Sequence, residues 1–157
     1  MIKIGIDNGV SGSIGIIGKG RAELFPTPIF KTLNYTKKKG NISRVDVESM
    51  KEILKPYSKG GIVKIERPMV NPGRFKASLS AIRALEATSI ALEQLGLGYV
   101  IVDSKDWQNK YLQKGIKGAA NLKKASKLRG IQMFPHLEEV INKIGDADAL
   151  FIAMLDV

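Results

Sequence analysis

The sequence predicts an α/β domain: a five-stranded mixed sheet in which antiparallel hairpin strands are extended by parallel strands, with helices on its faces. Three observations predict it. Ile2, Ile4 and Ile6 alternate with Lys3, Gly5 and Asp7, and after the turn formers Asn8, Gly9, Ser11 and Gly12 a second apolar run spans Ile14 to Ile17, which is a hairpin pattern. Two more short runs rich in β-branched residues, Gly61–Glu66 and Gly98–Val102, are each followed by a helical pattern, the alternation that builds parallel strands. The 157 residues, 44% hydrophobic and 25% charged, suit one domain (1–157) with a sizeable core.

Taken in order, Lys19-Gly20 marks a turn and Arg21 to Phe25 a third strand. Pro26 and Pro28 demote the next residues to edge strand or loop, and residues 30–45 are polar and basic, with Lys37, Lys38, Lys39 and Gly40 in a row. Asp46 to Leu54 has helical spacing through Val47, Met50, Ile53 and Leu54, closed by Pro56 and Gly60-Gly61. The central strand Gly61–Glu66 ends, like the first, in a carboxylate. Arg67 to Gly73 holds two prolines and a glycine and reads as a loop. Arg74 to Leu95 is the longest helical pattern, with Leu79, Ile82, Leu85, Leu92 and Leu95 on one side and many alanines that permit close packing. Beyond the fifth strand, Ser104 is placed to cap a helix carrying Trp107, Tyr111 and Leu112. Gly115 to Gly118 breaks the chain, Asn121 to Leu128 is a lysine-rich helix, and Leu137 to Ile144 is helical again after Pro135. Asp146 to Leu155 is almost wholly apolar after its two acids, so a buried helix is expected there.

Composition narrows the function classes. Zero cysteines exclude disulfide scaffolds, thiol nucleophiles and cysteine zinc sites together. No apolar run spans a bilayer and no signal-peptide pattern opens the chain, so a cytoplasmic, intracellular setting is expected. Lys and Arg number 25 against 15 Asp and Glu, a net charge of +10. That balance points to a polyanionic partner, nucleic acid before membrane, with a merely solvated basic surface as the alternative.

The carboxylates sharpen this. In α/β sheets the carboxyl ends of the strands form the working edge. Asp7 and Glu66 both fall at such ends, a few ångströms apart if their strands are neighbours, and the last helix presents a third acid from its first turn. In isolation Asp7 also reads as a turn-stabilising aspartate. Clustered carboxylates without arginines repel one another, so such a cluster persists because cations neutralise it. Oxygen donors with few histidines suit Mg²⁺ or Mn²⁺ over zinc. Asp146 and Asp148, two apart on a regular helix, would point roughly 200° from each other. Asp148 is therefore the expected ligand and Asp146 the expected cap, with metal binding open to it as well. Asp103 reads as structural, since Ser104, Asp106 and the following helix supply a capping role. His136, just after Pro135, reads as a cap or a solvated side chain.

At this point the residues carry a resemblance. The segments IGIDNGVSGSIGI and IERP, then Trp107 with a lysine-rich helix and Phe134-Pro135, then GDADALFIA, resemble in order the RuvC-type Holliday-junction resolvases, and particularly their phage-encoded relatives. The resemblance implies an RNase H-like fold, a homodimer, and divalent-metal nicking of branched DNA such as four-way junctions and forks, in the host cytoplasm for a phage protein. By position, Asp7, Glu66 and Asp148 match the family's catalytic acids. The family's fourth ligand lies three residues before the last acid, where this chain has Gly145, and Asp146 is the expected substitute. Proline often follows the first acid, and here Asn8 does. Lys123 and Lys124 resemble the family's basic position, with the choice between them open. The helix Arg74–Leu95 is, by resemblance, the dimer surface.

The chemistry then expected is hydrolysis with two cations about 4 Å apart, bridged by Asp7, Glu66 holding one and Asp148 the other. In the loop after Glu66, Met69 and Phe75 stand beside Arg67, Arg74 and Lys76, a mixture suited to backbone grip plus a wedge between unstacked bases. Packing of Phe75 under its own helix is the alternative. Lys105 and Lys117 complete the expected DNA contacts. Two other functions fit parts of the sequence. An actin-like ATPase shares the opening strand-Asp-x-Gly-turn-Ser-strand pattern but needs a second such lobe, and a DNA-binding protein of the same fold without catalysis would have no use for unneutralised acids facing phosphates.

Overall fold

The computed structural model describes residues 1–156. The chain runs β1 (Ile2–Asp7), β2 (Ser13–Gly18), β3 (Arg21–Pro26), β4 (Ile29–Leu33), β5 (Asn41–Val45), α1 (Val47–Leu54), β6 (Gly61–Glu66), α2 (Phe75–Gln94), β7 (Tyr99–Val102), α3 (Ser104–Tyr111), α4 (Ala119–Met133), α5 (Glu138–Ile144) and α6 (Asp148–Met154). The main sheet has the order β3-β2-β1-β6-β7. Its β1–β2 and β2–β3 pairs are antiparallel and its β1–β6 and β6–β7 pairs parallel. The expected five-stranded mixed sheet is therefore present. No helix among the described residues is long and apolar enough to cross a membrane.

Alternation along the strands separates two faces. Ile4, Ile6, Ile14, Ile16, Val63 and Ile65 point one way, none more than 3% exposed, and α1 and α2 cover them through Met50, Leu54, Ala84, Ala91 and Leu92. The opposite face carries Gly5 and Gly15, which are cross-strand partners. A Cβ at Gly5 would sit 2.2 Å from the Ala149 carbonyl oxygen, and one at Gly15 would sit 2.6 Å from the Ala149 carbonyl carbon. Both glycines are needed because the backbone of α6 rests directly on the sheet there. On its outer side Phe151 of α6 stacks with Trp107 and Tyr111 of α3 at centroid distances of 5.9 and 5.4 Å.

Lys64 lies on that same face and is only 2% exposed. Its Nζ donates to the Ala153 carbonyl at 2.9 Å, satisfying a carbonyl in the last turn of α6, where a cation is also favoured by the helix dipole. Burial, then the nearby Lys3, lowers its pKa.

The sequence reading needs three corrections. Residues 29–45 are a second, two-stranded sheet, with Phe30 opposite Arg44 and Lys31 opposite Ser43. Apart from Val45, which joins the core, the residues of the two strands are exposed or half-buried, so they leave no period-2 apolar signal to read. The α3 helix is capped by Asp103, in a capping box with Asp106, and Ser104 is its first residue. Asp146 lies outside α6, which begins at Asp148, so the 200° argument does not apply to that pair.

Candidate metal centre

Three separate elements deliver acids to one place. Asp7 ends β1 and Glu66 ends β6, and these strands are parallel neighbours in register at Ile6 and Ile65. The turn after Asp7 is tight: a Cβ at Gly12 would lie 2.0 Å from the Asp7 carbonyl oxygen. Asn8 ties this turn to α2, its Nδ2 donating to the Ala81 carbonyl at 3.0 Å. From the other side, the Gly5–Gly15 seat brings the first turn of α6 over β1 and β2. Carboxylate oxygens of Asp7, Asp146 and Asp148 then lie within 4.8 Å of one another. Glu66 stands outside that set of three but beside it, close enough for its charge to act on Asp7.

Asp146 reaches the cluster because the joint between α5 and α6 is irregular. Gly145 ends α5 in the left-handed region at φ 101°, and Ala147 follows at φ −127° before the helix begins. Asp146 is 4% exposed. Its Oδ1 accepts a long hydrogen bond of 3.4 Å from the Asp148 amide, and its Oδ2 pairs with Lys123 Nζ at 3.3 Å. It serves as a partial cap and as a member of the cluster together. Lys123 extends over Gly145, and a Cβ there would lie 3.0 Å from the lysine Cε. The volume that a side chain at 145 would take is thus filled by the lysine stem. Lys124, the next residue, is exposed and has no ion pair among the described residues.

Ser126 is a residue that the sequence reading missed. It is fully buried, its hydroxyl donates to Asp148 Oδ1 and accepts from the Ala147 amide at 3.1 Å. One hydroxyl thereby fixes both the carboxylate and the start of α6. The available signal was the stripe Lys123, Ser126, Gly130 at helical spacing, a polar and small edge on a helix that otherwise looked solvated. A Cβ at Gly130 would lie 2.2 Å from Ala147 Cβ, so α4 approaches the joint closely.

Electrostatics record the crowding. Burial, reinforced by the charges of Glu66, Asp148 and Asp146 and opposed by Lys123, holds the Asp7 carboxyl well above its ordinary value. Burial, with the charge of Asp146 adding to it, pushes Glu66 up to about 7. Asp148 is also pushed up to about 7, first by burial and then by Asp146, while Ser126 works the other way. Three converging carboxylates, with Glu66 beside them and the Lys123 ammonium paired to Asp146, fit a divalent cation: oxygen donors converge and their mutual repulsion is what a metal charge relieves.

Of the remaining predicted residues, Arg67, Met69 and Arg74 line a cleft of about 430 Å³ beside the acids, with Asp103 also in its wall. Met69 and Phe75 are 74% and 70% exposed, so Phe75 is not packed under its helix. Arg67 forms an ion pair with Asp103, which explains that acid without a metal. Lys76, Lys105 and Lys117 are exposed. His136 contacts the Ala22 carbonyl at 3.3 Å, on β3.

The strand order and the helix laid across β1 and β2 define an RNase H-like α/β fold. Two solved structures share it over 98% of this chain: RuvC of Thermus thermophilus in complex with a Holliday junction substrate, at TM-score 0.60, 17% identity and 90% of that chain covered, and a second structure of Thermus thermophilus RuvC, at TM-score 0.53, 17% identity and 91% covered. No family model matches the sequence, and no curated protein matches it.

Proposed function

We propose that this protein is a structure-selective endonuclease of the Holliday-junction resolvase type, nicking four-way junctions or forks as a homodimer with Mg²⁺ or Mn²⁺. The observation that carries the reading is the convergence of Asp7, Asp146 and Asp148 within 4.8 Å, with Glu66 alongside, on a chain of net charge +10. Acids at a phosphate-binding surface weaken affinity unless cations lie between. The fold shared with a protein solved on a Holliday junction supports the same reading.

Asp7, Glu66, Asp148 and Asp146 would hold the ions, two per site, and the bound ions supply an activated water and charge relief at the leaving oxygen. The protein's own residues do the rest. Ser126 keeps Asp148 turned into the cluster, and Asn8 fixes the turn behind Asp7. Lys123 offsets charge beside Asp146 and stands near where a scissile phosphate would lie. Arg67 and Arg74 on the cleft wall and the exposed Lys76, Lys105 and Lys117 suit phosphate contacts, and exposed Met69 and Phe75 suit insertion between base steps at a branch point. Ile82 and Ile90, 46% and 38% exposed and eight residues apart on α2, offer an apolar stripe for a second copy.

The test is incubation with a synthetic four-way junction, a fork and a linear duplex, with and without Mg²⁺. Metal-dependent nicking of the branched substrates is expected, and Asp7→Asn should bind the junction without cutting it. Undiminished cutting by that variant removes Asp7 from the chemistry.

A further inference from the structure

The β4–β5 hairpin has no role in the fold that accounts for its composition. Between Ile29 and Arg44 no residue is buried, and of the two strands only Val45, at the end of β5, joins the core. Residues 29–45 contain Lys31, Lys37, Lys38, Lys39 and Arg44 and not one acid. Aromatics accompany the cations: the Arg44 guanidinium lies over the Phe30 ring at 5.4 Å, and Tyr35 is 63% exposed.

Its location is specific. In register, Asp7 faces Ser13 and Ser13 faces Pro26, so the hairpin springs from the sheet edge that holds the acids, two strands or about 10 Å away. The Asp46 amide donates to the Pro28 carbonyl at 2.8 Å, closing its base, and the Asn34 amide donates to the Gly40 carbonyl at 2.8 Å, closing its tip. The tip is held against α2, where Arg83 donates to the Tyr35 hydroxyl at 2.8 Å and stacks over its ring at 5.5 Å. Arg83 is two residues from Ala81, whose carbonyl holds Asn8 beside Asp7. Asn8, next to Asp7, and Tyr35, at the base of the Lys37–Lys39 loop, are therefore both held by the same stretch of α2.

Resting on the nuclease reading above, we propose that the β4–β5 hairpin is a second DNA-binding element that grips the backbone of the duplex arm flanking the cleavage site. The partner is identified by charge complementarity: five cations without an acid match a duplex that presents a phosphate charge about every 1.7 Å of axis. Exposed lysine-rich segments of this kind make sequence-independent contacts, so the element sets arm affinity and orientation and not the choice of bases.

The experiment uses the cleavage-deficient Asp7→Asn chain with a labelled four-way junction, comparing it with the same chain carrying Lys37→Ala, Lys38→Ala and Lys39→Ala. Affinity is measured from about 50 to 200 mM salt. Each lost phosphate contact should make the log–log salt slope shallower by about 0.9, so the triple variant should lose about 2 to 3 units of slope with an unchanged melting temperature. A second variant, Lys55→Ala with Lys59→Ala, removes exposed lysines from the amino end of β6, the opposite sheet edge, and should leave the slope as it was. An unchanged slope and affinity in the triple variant overturns the proposal, as does loss of the dimer on sizing with the slope intact, which would make the hairpin a contact between copies. Failure of the Asp7→Asn parent to bind any branched DNA overturns the nuclease reading itself, and the hairpin's role with it.

Discussion

The two faces of the central sheet are built from alternate residues of the same strands, yet they obey different rules. On the α1–α2 face, Ile4, Ile6, Ile14, Ile16, Val63 and Ile65 form a core of branched aliphatic side chains. On the α6 face the same strands offer Gly5, Asp7, Ser13, Gly15, Lys64 and Glu66, and the helix above them contributes Ala149 and Ala153 at the contact. The first face gains stability from buried area, about 25 cal/mol per Å² of apolar surface. The second gives up side-chain volume so that a helix backbone can come close, and it holds carboxyls that repel one another. One face supports the fold and the other spends that support on positioning acids.

The sharpest way to break this contrast is Asp7→Asn. Cutting should fall by roughly 10³-fold or more, while the metal-free variant should gain on the order of 1–3 kcal/mol near pH 8, because a buried charge that its neighbours repel is gone. Activity and chemical denaturation on the same preparation check both halves. If stability instead falls as activity does, Asp7 is a structural residue and the contrast fails.

Next in size are paired substitutions in the two faces. Ile65→Ala should cost about 2–5 kcal/mol yet leave activity per folded molecule near normal. Gly5→Ala forces a Cβ into the α6 backbone and should cost about 3 kcal/mol or more, and it should also weaken Mn²⁺ binding by displacing Asp148. Calorimetric metal titration of both folded variants separates them, and equal metal affinities would contradict the account of α6.

The pH dependence follows from the sign of the shifts. Glu66 and Asp148 hold protons up to about 7 in the folded chain, well above unfolded values near 4. Folded protein therefore binds more protons than unfolded in that window, and the stability these groups contribute is full below about pH 4 and lost as pH rises through 7. Metal-free protein should lose a few kcal/mol from this source between pH 5 and pH 8, and saturating Mg²⁺ should flatten the profile. Urea unfolding at several pH values, with and without Mg²⁺, reads it directly. A metal-free profile that rises through this range would contradict the repulsion assigned to the cluster.

Smaller effects test how well the acids are held and what flanks them. Ser126→Ala should weaken metal binding about 10- to 100-fold, as for other residues that orient a ligand, with the apolar face unaffected. Met69→Ala should reduce junction opening, tracked with a fluorescent base at the branch point, and leave the melting temperature unchanged. A melting temperature that drops in step with opening would assign Met69 to packing.

Much of this architecture was legible because apolar periodicity reports burial. The β1–β2 hairpin, the β6 and β7 strands and the long α2 helix all announce themselves through Ile, Val and Leu at regular spacing. The strand-end positions of Asp7 and Glu66 were legible for the same reason, since a carboxylate closing an apolar strand is conspicuous. Periodicity is silent where burial is absent or irregular. The β4–β5 hairpin buries only Val45 fully, so its strands left no pattern around Lys37 to Lys39. Asp146 was assigned to a helix face because the sequence does not reveal that Gly145 and Ala147 put it in an irregular joint. Ser126 left only its place in a stripe with Lys123 and Gly130, because a serine in a lysine-rich helix looks solvated until α6 is packed against it.

The central claim is that acids from β1, β6 and the start of α6 converge to hold divalent cations. The most direct measurement is anomalous diffraction from crystals grown with Mn²⁺. The account predicts anomalous density between the carboxylates of Asp7, Glu66 and Asp148. Crystals saturated with Mn²⁺ that show no density there, with the three carboxylates ordered, would contradict it.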